Sequence, residues 1–388
     1  MNGEILVLNA GSSSLKFSIY IDGDEIPEVS GLIDRIGAGA PAEIKLKDAA
    51  GAALSAGEVG PVADHGAALR VAIRAMAVHY PDRTIKAVGH RVVHGGPDFA
   101  APVVIDDAVE AALQALVPLA PLHQPHCLAG IRAARAAFPA ATQIACFDTA
   151  FHRTMPRVNE IYAIPHDYYD QGIRRYGFHG LSYDYIASAL REDAPALAGA
   201  RVVVAHLGNG ASLCAMQDGK SVMTSMGFSA LDGLVMGTRC GKIDPGVLLY
   251  LLDQGMDRKA LSDMLYRQSG LLGLSGISND MRTLLASPDP RAAEAVACFI
   301  TSLQRGIAEM AAAMEGIDGI VFTAGIGENS AAIRARVCDG LGWMGVSLDT
   351  AANADGAGMI SAPGSPVQVK VIPTREDLVI LRAVRQIA

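Results

Sequence analysis

A run of four apolar residues breaking into a turn of Gly, Ser and Asn occurs twice in this chain. Ile5-Leu6-Val7-Leu8 leads into Asn9-Ala10-Gly11-Ser12-Ser13-Ser14-Leu15-Lys16, and Val202-Val203-Val204-Ala205 leads into His206-Leu207-Gly208-Asn209-Gly210-Ala211-Ser212. Each turn is followed by a second apolar stretch, Phe17 to Ile21 and Leu213 to Met216, with an Asp-Gly pair beyond it. A short apolar run bounded by turn residues is the pattern of a buried strand. A Gly- and Ser-rich turn after such a strand offers backbone N–H groups to phosphate. The repeated layout predicts a duplicated β-hairpin. Two such hairpins facing each other would clamp a nucleotide between two lobes.

The 388 residues exceed what one core organises, and the length predicts two or three domains. A chain with 51% hydrophobic and 19% charged residues is globular. The net charge of −8, without a Lys/Arg run, argues against a nucleic-acid partner. Six scattered cysteines without a C-x-x-C read as reduced core residues of a cytoplasmic protein. No apolar stretch approaches the ~20 residues of a membrane span, and the N-terminus enters a strand at once. A soluble protein with no membrane partner is expected.

Strands alternate with helices along the first 150 residues, an α/β pattern. Helical spacing marks 64–79, 106–116 and 128–138. Short strands are expected at 85–88, ending at Gly89-His90-Arg91, and at 143–147, ending on Asp148. Residues 24–62 read only as loop and strand. Pro118, Pro121 and Pro125 mark a loop. Beyond residue 150 a loose connecting region precedes the strand at Val202. Helices follow at 245–268 and 290–315. A strand at 320–323 enters a Gly-rich turn, and a helix at 330–340 follows. A late strand at 367–372 precedes a terminal helix from Glu376. The expected domains are 1–150, with residues 376–388 packing back on it, and 151–375.

Several residues suit anion chemistry. The Asn9–Lys16 turn is not a P-loop, but its hydroxyls and Lys16 could donate to phosphate, and Asn9 could hold a water of a magnesium shell. Gly325-Ile326-Gly327-Glu328-Asn329 lies between a strand and a helix, where an anion or a ribose can sit. Arg91 and Arg239 are flanked by glycines, and an Arg fork suits carboxylate or phosphate. Asp148 and Glu376 follow strands, and either could serve magnesium through water or act as a cap. His179, in Tyr176-Gly-Phe-His-Gly180, could offset charge on a transferring phosphoryl group. The ten histidines show no zinc pattern.

Taken together these blocks resemble the acetate kinase family, within the superfamily of acetate and sugar kinases, heat-shock ATPases and actin. The resemblance rests on Asn9 to Lys16, Gly89-His-Arg-Val-Val-His-Gly-Gly96, Cys146-Phe-Asp-Thr-Ala-Phe-His152, Tyr176 to Gly180, His206 to Gly210, Met236-Gly-Thr-Arg239, Gly325 to Asn329 and Pro373-Thr374 with Glu376-Asp377. It implies two ribonuclease-H-like, actin-like lobes with an active-site cleft between them. It further implies ATP-dependent phosphorylation of acetate to acetyl phosphate and ADP, a homodimer formed through the second domain, and Mg²⁺ (or Mn²⁺) as the metal. Carried over by position, Asn9 and Glu376 serve the metal, and Ser12, Ser14 and Lys16 contact the nucleotide. His206, Leu207, Gly208, Asn209 and Gly210 line the ATP site with Asp280, Met281 and Arg282, and with Gly325, Ile326, Gly327, Glu328 and Asn329. Arg91 holds the carboxylate, Asp148 is the family's catalytic acid, and His179 and Arg239 stabilise the transition state. Val93, Leu122 and Phe178 form the acyl pocket.

Chemistry narrows these roles. A short carboxylic acid has a pKa of about 4–5 and is ionised at neutral pH, so the nucleophile needs no base. The difficulty is bringing an anion to a polyanion, which calls for cations on both sides. Asp148 is therefore expected to orient the substrate or the metal shell. The chain carries Ala230 where many family members have Pro, which leaves room in the acyl pocket and makes a kinase of propionate or another short-chain acid the nearest alternative. From another class, an actin- or heat-shock-type ATPase switch shares the hairpins but needs neither Arg91 nor an acyl pocket.

Overall fold

The computed structural model describes residues 3–11, 13–21, 23–80, 84–356 and 358–388. Ser12 lies outside them. The chain divides into two compact units, residues 1–150 with 375–388, and residues 151–374.

In the first unit the strands are β1 (Glu4–Ala10), β2 (Ser14–Ile21), β3 (Val29–Asp34), β4 (Pro41–Asp48), β5 (Ala53–Pro61), β6 (Ile85–Val92), β7 (Val103–Val104) and β8 (Thr142–Phe147). Among the described residues they form one sheet in the order β5-β4-β3-β2-β1-β6-β8-β7. β1 pairs antiparallel with β2 and parallel with β6, and β6 pairs parallel with β8. Helix α1 (His65–His79) covers one face, burying Leu69, Ala72 and Met76 against Leu8, Phe17, Ile33 and Leu46. Each such aliphatic side chain is worth about 2 kcal/mol when fully buried. Helices α2 (Asp107–Ala115) and α3 (Gln124–Ala137) build a second cluster with Val92 and Phe147.

The second unit repeats the plan. Helix α4 (Gly180–Asp193) precedes β9 (Arg201–Leu207), β10 (Ala211–Gln217) and β11 (Lys220–Thr224). Helices α5 (Pro245–Asp253), α6 (Arg258–Arg267) and α7 (Pro290–Ala313) follow, then β12 (Gly319–Thr323), α8 (Ala324–Asn329), α9 (Ala331–Asp339), β13 (Gly358–Met359) and β14 (Gln368–Val371). The sheet order is β11-β10-β9-β12-β14-β13. Thus β3-β2-β1-β6-β8 and β11-β10-β9-β12-β14 share one pattern, two antiparallel pairings followed by two parallel ones. This is the ribonuclease-H-like arrangement, present twice. The two sequence hairpins are β1–β2 and β9–β10.

Helix α10 (Glu376–Ile387) returns to the first unit. Its Asp377 accepts a hydrogen bond from the Tyr20 hydroxyl. Arg382 pairs with Glu25, and Arg385 donates to the carbonyls of Ile21 and Asp24. Gly89 permits this packing, since a Cβ there would lie 2.4 Å from Ile380 Cγ2 and 2.8 Å from Val384 Cγ2.

Several boundaries differ from the sequence reading. The strand expected to end before Gly89 runs to Val92, so Arg91 is a strand residue. Gly89 was read as a breaker, but its missing side chain serves the close approach of α10. Residues 24–62 contain three full strands. Helix α3 starts at Gln124, with Pro125 in its first turn, where the missing N–H costs nothing. The 245–268 helix is two helices, separated at Gly255, whose φ is +91°. Residues 324–329 are a short helix rather than a turn. No helix among the described residues is long and apolar enough to cross a membrane.

Candidate functional site

In the first unit, parallel strand pairing places the ends of β1, β6 and β8 side by side. Arg91 sits next to the end of β6, and Asp148 follows β8, its N–H bonded to the Val92 carbonyl at 3.0 Å. Arg91 grips Asp148 bidentately, Nε to Oδ1 at 3.0 Å and Nη2 to Oδ2 at 2.6 Å. Nη1 donates to Asn9 Oδ1 at 3.2 Å, and Glu376 Oε2 lies 3.7 Å from Nε. Four predicted residues, from β1, β6, the turn after β8 and the start of α10, thus meet on one guanidinium. The Asp148 side chain is 1% exposed and that of Arg91 19%. Burial works against the Arg91 charge, but Asp148 and Glu376 outweigh it and hold its pKa above the ordinary value. One N–H on Nη1 and one on Nη2 remain for another acceptor. Lys16 is exposed and Ser14 half-buried in β2, with Lys16 opposite Asn9 in the ladder. Val93 is buried and Leu122 half-buried in this unit, whereas Phe178 is buried in the second.

In the second unit, His179 precedes α4 with φ +58°, a left-handed conformation uncommon outside glycine. Its ring stacks on His206 with centroids 4.1 Å apart. A Cβ on Gly210 would lie 3.1 Å from Arg239 Nη2 and 3.5 Å from His179 Nε2, so both side chains flank this turn. Arg239 donates through Nη1 to the Ala230 carbonyl at 2.9 Å, and it has no carboxylate partner among the described residues. Burial lowers its pKa. The Met236–Arg239 turn is tied to the Gly-rich turn by the Gly237 N–H, which donates to the Asn209 carbonyl at 2.9 Å. There is no space for a side chain at Gly237, where a Cβ would collide with Asn209 Oδ1.

A cavity of about 500 Å³ lies beside this turn. Gly208 and Asn209, Asp280 with Met281 and Arg282, and Gly325, Ile326 and Asn329 line it from three segments. Asn279 and Ser330 complete the wall. Neither was predicted, although Ser278-Asn279-Asp280 before a helix is a capping sequence that could have flagged the first. Asp280 caps the helix Met281–Ala286, and its bonds to Arg282 and the Thr283 N–H lower its pKa to about 2. His206, Leu207, Gly210, Gly327 and Glu328 do not line the cavity. Glu328 is a brace: its Oε1 accepts from the N–H groups of Ala324 at 2.7 Å and Thr374 at 3.0 Å. Arg334, 1% exposed, locks the same segment by donating to the carbonyls of Gly327 and Glu328 and to Asn353.

The acetokinase family profile matches residues 4–382. The chain belongs to the acetokinase family. Similar curated proteins are the acetate kinase of Methylocella silvestris, 49% identical over 97% of this chain and 96% of that one, and the acetate kinase of Rhodopseudomonas palustris, 50% identical over 100% and 99%. A propionate kinase structure from Francisella tularensis has a TM-score of 0.93 at 37% identity, covering 100% of both chains. An acetate kinase structure from Porphyromonas gingivalis has a TM-score of 0.87 at 35% identity, covering 99% of both. The two sheets of this acetokinase are therefore the two lobes of the actin-like fold.

At the two positions read for magnesium, the acetokinase chain would offer the ion one amide oxygen, from Asn9, and one carboxylate, from Glu376. Among the described residues no cluster of three or more His, Cys, Asp or Glu is arranged for a metal. Such a sparse oxygen set fits Mg²⁺, which keeps several waters and shares substrate phosphates. It does not fit zinc, which takes a closed N/S shell in structural sites.

Proposed function

We propose that the first unit holds the carboxylate and the second the nucleotide in the reversible phosphorylation of acetate. The chain is an ATP-dependent acetate kinase. A carboxylate oxygen of acetate attacks the γ-phosphorus and forms the new P–O bond. The bond from that phosphorus to the β,γ-bridging oxygen breaks, and ADP leaves with its electron pair. No proton moves, because acetate is already an anion at neutral pH. The reading rests on the contrast between the two arginines. Arg91 is fixed by Asp148 and keeps two N–H groups for a carboxylate. Arg239 is a partly desolvated cation with no counter-ion among the described residues, suited to the charge of a transferring phosphoryl group. Asp148 acts by aiming Arg91. Asn9 and Glu376 would hold Mg²⁺, which when bound with ATP neutralises phosphate charge. The cavity lined by Gly208, Asn209, residues 280–282, Gly325, Ile326 and Asn329 takes the nucleoside. Six free cysteines, four of them buried, suit a reducing cytoplasm.

The test is trapping of acyl phosphate by hydroxylamine with acetate and Mg-ATP. Arg239→Ala should lose on the order of 10³-fold in kcat. Asp148→Asn should raise KM for acetate and lower kcat at every magnesium concentration. Recovery at high magnesium would move Asp148 to the metal shell, and ATP hydrolysis without trapped product would favour an ATPase switch. Propionate is the second reading, supported by Ala230 and by similarity to the Francisella propionate kinase. One methylene is worth about 1 kcal/mol in such a pocket, so kcat/KM in the same assay should differ by tenfold or less between the two acids. A homodimer is supported by α5, none of whose nine residues is buried despite its apolar sequence.

A further inference from the structure

Behind His179 lies a buried set of hydroxyls that nothing above employs. Tyr183 stands four residues along α4 from His179, on the same helix face, and its N–H bonds to the His179 carbonyl at 3.1 Å. Ser212 stands on β10 opposite His206. Both Tyr183 and Ser212 are fully buried. Ser212 Oγ lies 2.8 Å from His179 Nδ1 and 2.5 Å from the Tyr183 hydroxyl.

The direction of this chain follows from counting protons. A buried hydroxyl donates its proton when an acceptor is in reach. Ser212 Oγ is the hydrogen-bond partner of the Tyr183 hydroxyl among the described residues, so Tyr183 donates to Ser212. Ser212 then spends its own proton on His179 Nδ1, which must be the unprotonated nitrogen. The neutral ring carries its proton on Nε2, the nitrogen that flanks Gly210 together with Arg239. The reverse arrangement would have Nδ1–H donating to Ser212 and Ser212 to Tyr183, and the phenol proton would be left without an acceptor. An imidazolium would meet the same conflict, since its Nδ1–H would face a hydroxyl already committed to donating. The titratable or charged groups around the ring include, among the described residues, His206, stacked on it, Tyr183 and Arg239, with Cys214 near Tyr183. Burial holds the Tyr183 phenol in its protonated form.

We propose that Tyr183 and Ser212 are positioning residues that act through a directed relay, Tyr183 O–H to Ser212 O–H to His179 Nδ1. The relay fixes His179 as the neutral Nε2–H tautomer. The phosphoryl group then meets a neutral donor from His179, and the positive charge comes from Arg239. This deepens the phosphoryl-transfer reading and rests on it.

The test uses the full-length enzyme labelled with ¹⁵N-histidine. Long-range ¹H–¹⁵N correlation, with His179 assigned by its loss in His179→Gln, reads the tautomer without reference to activity. At pH 7.5 the expected spectrum has an unprotonated Nδ1 and a protonated Nε2. A protonated Nδ1 would overturn the relay. In Tyr183→Phe, Ser212 can turn to accept from Nδ1–H, so His179 should become a mixture of tautomers and take up a proton at higher pH than in the wild type. The kcat of Tyr183→Phe should fall about three- to tenfold at pH 8, with KM for both substrates within twofold. That deficit should shrink toward pH 6, because the imidazolium regains its Nε2–H. A deficit independent of pH, with an unchanged tautomer, would reduce Tyr183 to packing and refute the proposal. Ser212→Ala is the second variant and should show the same mixed tautomer. If His179→Gln keeps full kcat while the Nε2–H tautomer is found, the relay stands and the phosphoryl role of His179 fails.

Discussion

At the scale of single residues, the chemistry depends on where a side chain is missing as much as on where one stands. Gly210 lies in ordinary backbone conformation, so alanine is tolerated by the chain itself, but its methyl would sit 3.1 Å from Arg239 Nη2. Arg239 is held by the Ala230 carbonyl and must give by a few tenths of an ångström. Gly210→Ala should therefore lower kcat roughly tenfold or more, since small misplacements of reacting groups are costly. Its melting temperature should stay near that of the wild type. A loss confined to stability, with kcat intact in the trapping assay, would contradict this. The residues that matter here were unequally visible. Arg91, Asp148, His179 and Arg239 were legible because each sits among glycines or at a strand end. Their pairing was not, because Arg91 and Asp148 are brought together by parallel strands rather than by spacing in the chain. Ser212 and Tyr183 gave little sign: a serine closing a Gly-rich motif and a tyrosine in a helix are ordinary until their hydroxyls are found in line.

At the scale of elements, α5 is the clearest anomaly. Asp244 caps it by accepting from the Gly246 N–H at 2.8 Å, and Pro245 occupies its first turn. Local signals therefore make it a helix, yet none of its residues is fully buried and only Leu248 and Leu251 are half-buried. Leu249 and Tyr250 are 63% and 61% exposed, with Val247 and Leu252 beside them. An exposed apolar patch of this kind marks an interface. Light scattering should give twice the chain mass for the wild type, and Leu249→Asp with Tyr250→Asp should shift the mass toward one chain. A wild-type monomer at tens of micromolar would reject the homodimer. The strands and helices of both sheets were largely legible, since buried runs such as Val202 to Ala205 admit few other readings. Three kinds of element were not. The strands within 24–62 interleave buried residues with half-buried or exposed ones, or bury none, and lack an apolar run. A proline in a first turn looks like a breaker, as at Pro125. A glycine inside a strand looks like an end, as at Gly89, when the reason for it lies nearly three hundred residues away in α10.

At the scale of the whole molecule, acid should act on both units in one window. His90 and His94 in the first unit and His152 in the second are buried, and desolvation lowers each pKa from 6.5 to about 4. His90 donates from Nε2 to Gln143 Oε1 and His152 from Nε2 to the Phe178 carbonyl, bonds that favour the charged ring and offset only part of the effect of burial. The unfolded chain takes up these protons near pH 6.5 and the folded chain refuses them until about pH 4. Stability from these groups is complete above about 6.5 and is lost as the pH falls toward 4, by about 3 kcal/mol for each histidine. Unfolding curves from pH 7.5 to 4.5 should show a falling melting temperature, and the fall should be shallower in His152→Gln. A flat profile would show that these rings are not buried neutral. The division of the chain also bears on its making. A ribosome adds about 5–20 residues each second from the N-terminus. Residues 151–374 form an uninterrupted unit and can close on themselves as they emerge. The first unit cannot, because Ile380 and Val384 have yet to cover Gly89 and Glu376 has yet to reach Arg91. During vectorial synthesis the part translated first is thus the part completed last. Arg91 acquires its second acidic neighbour, Glu376, only after residues 151–374 have been fully translated.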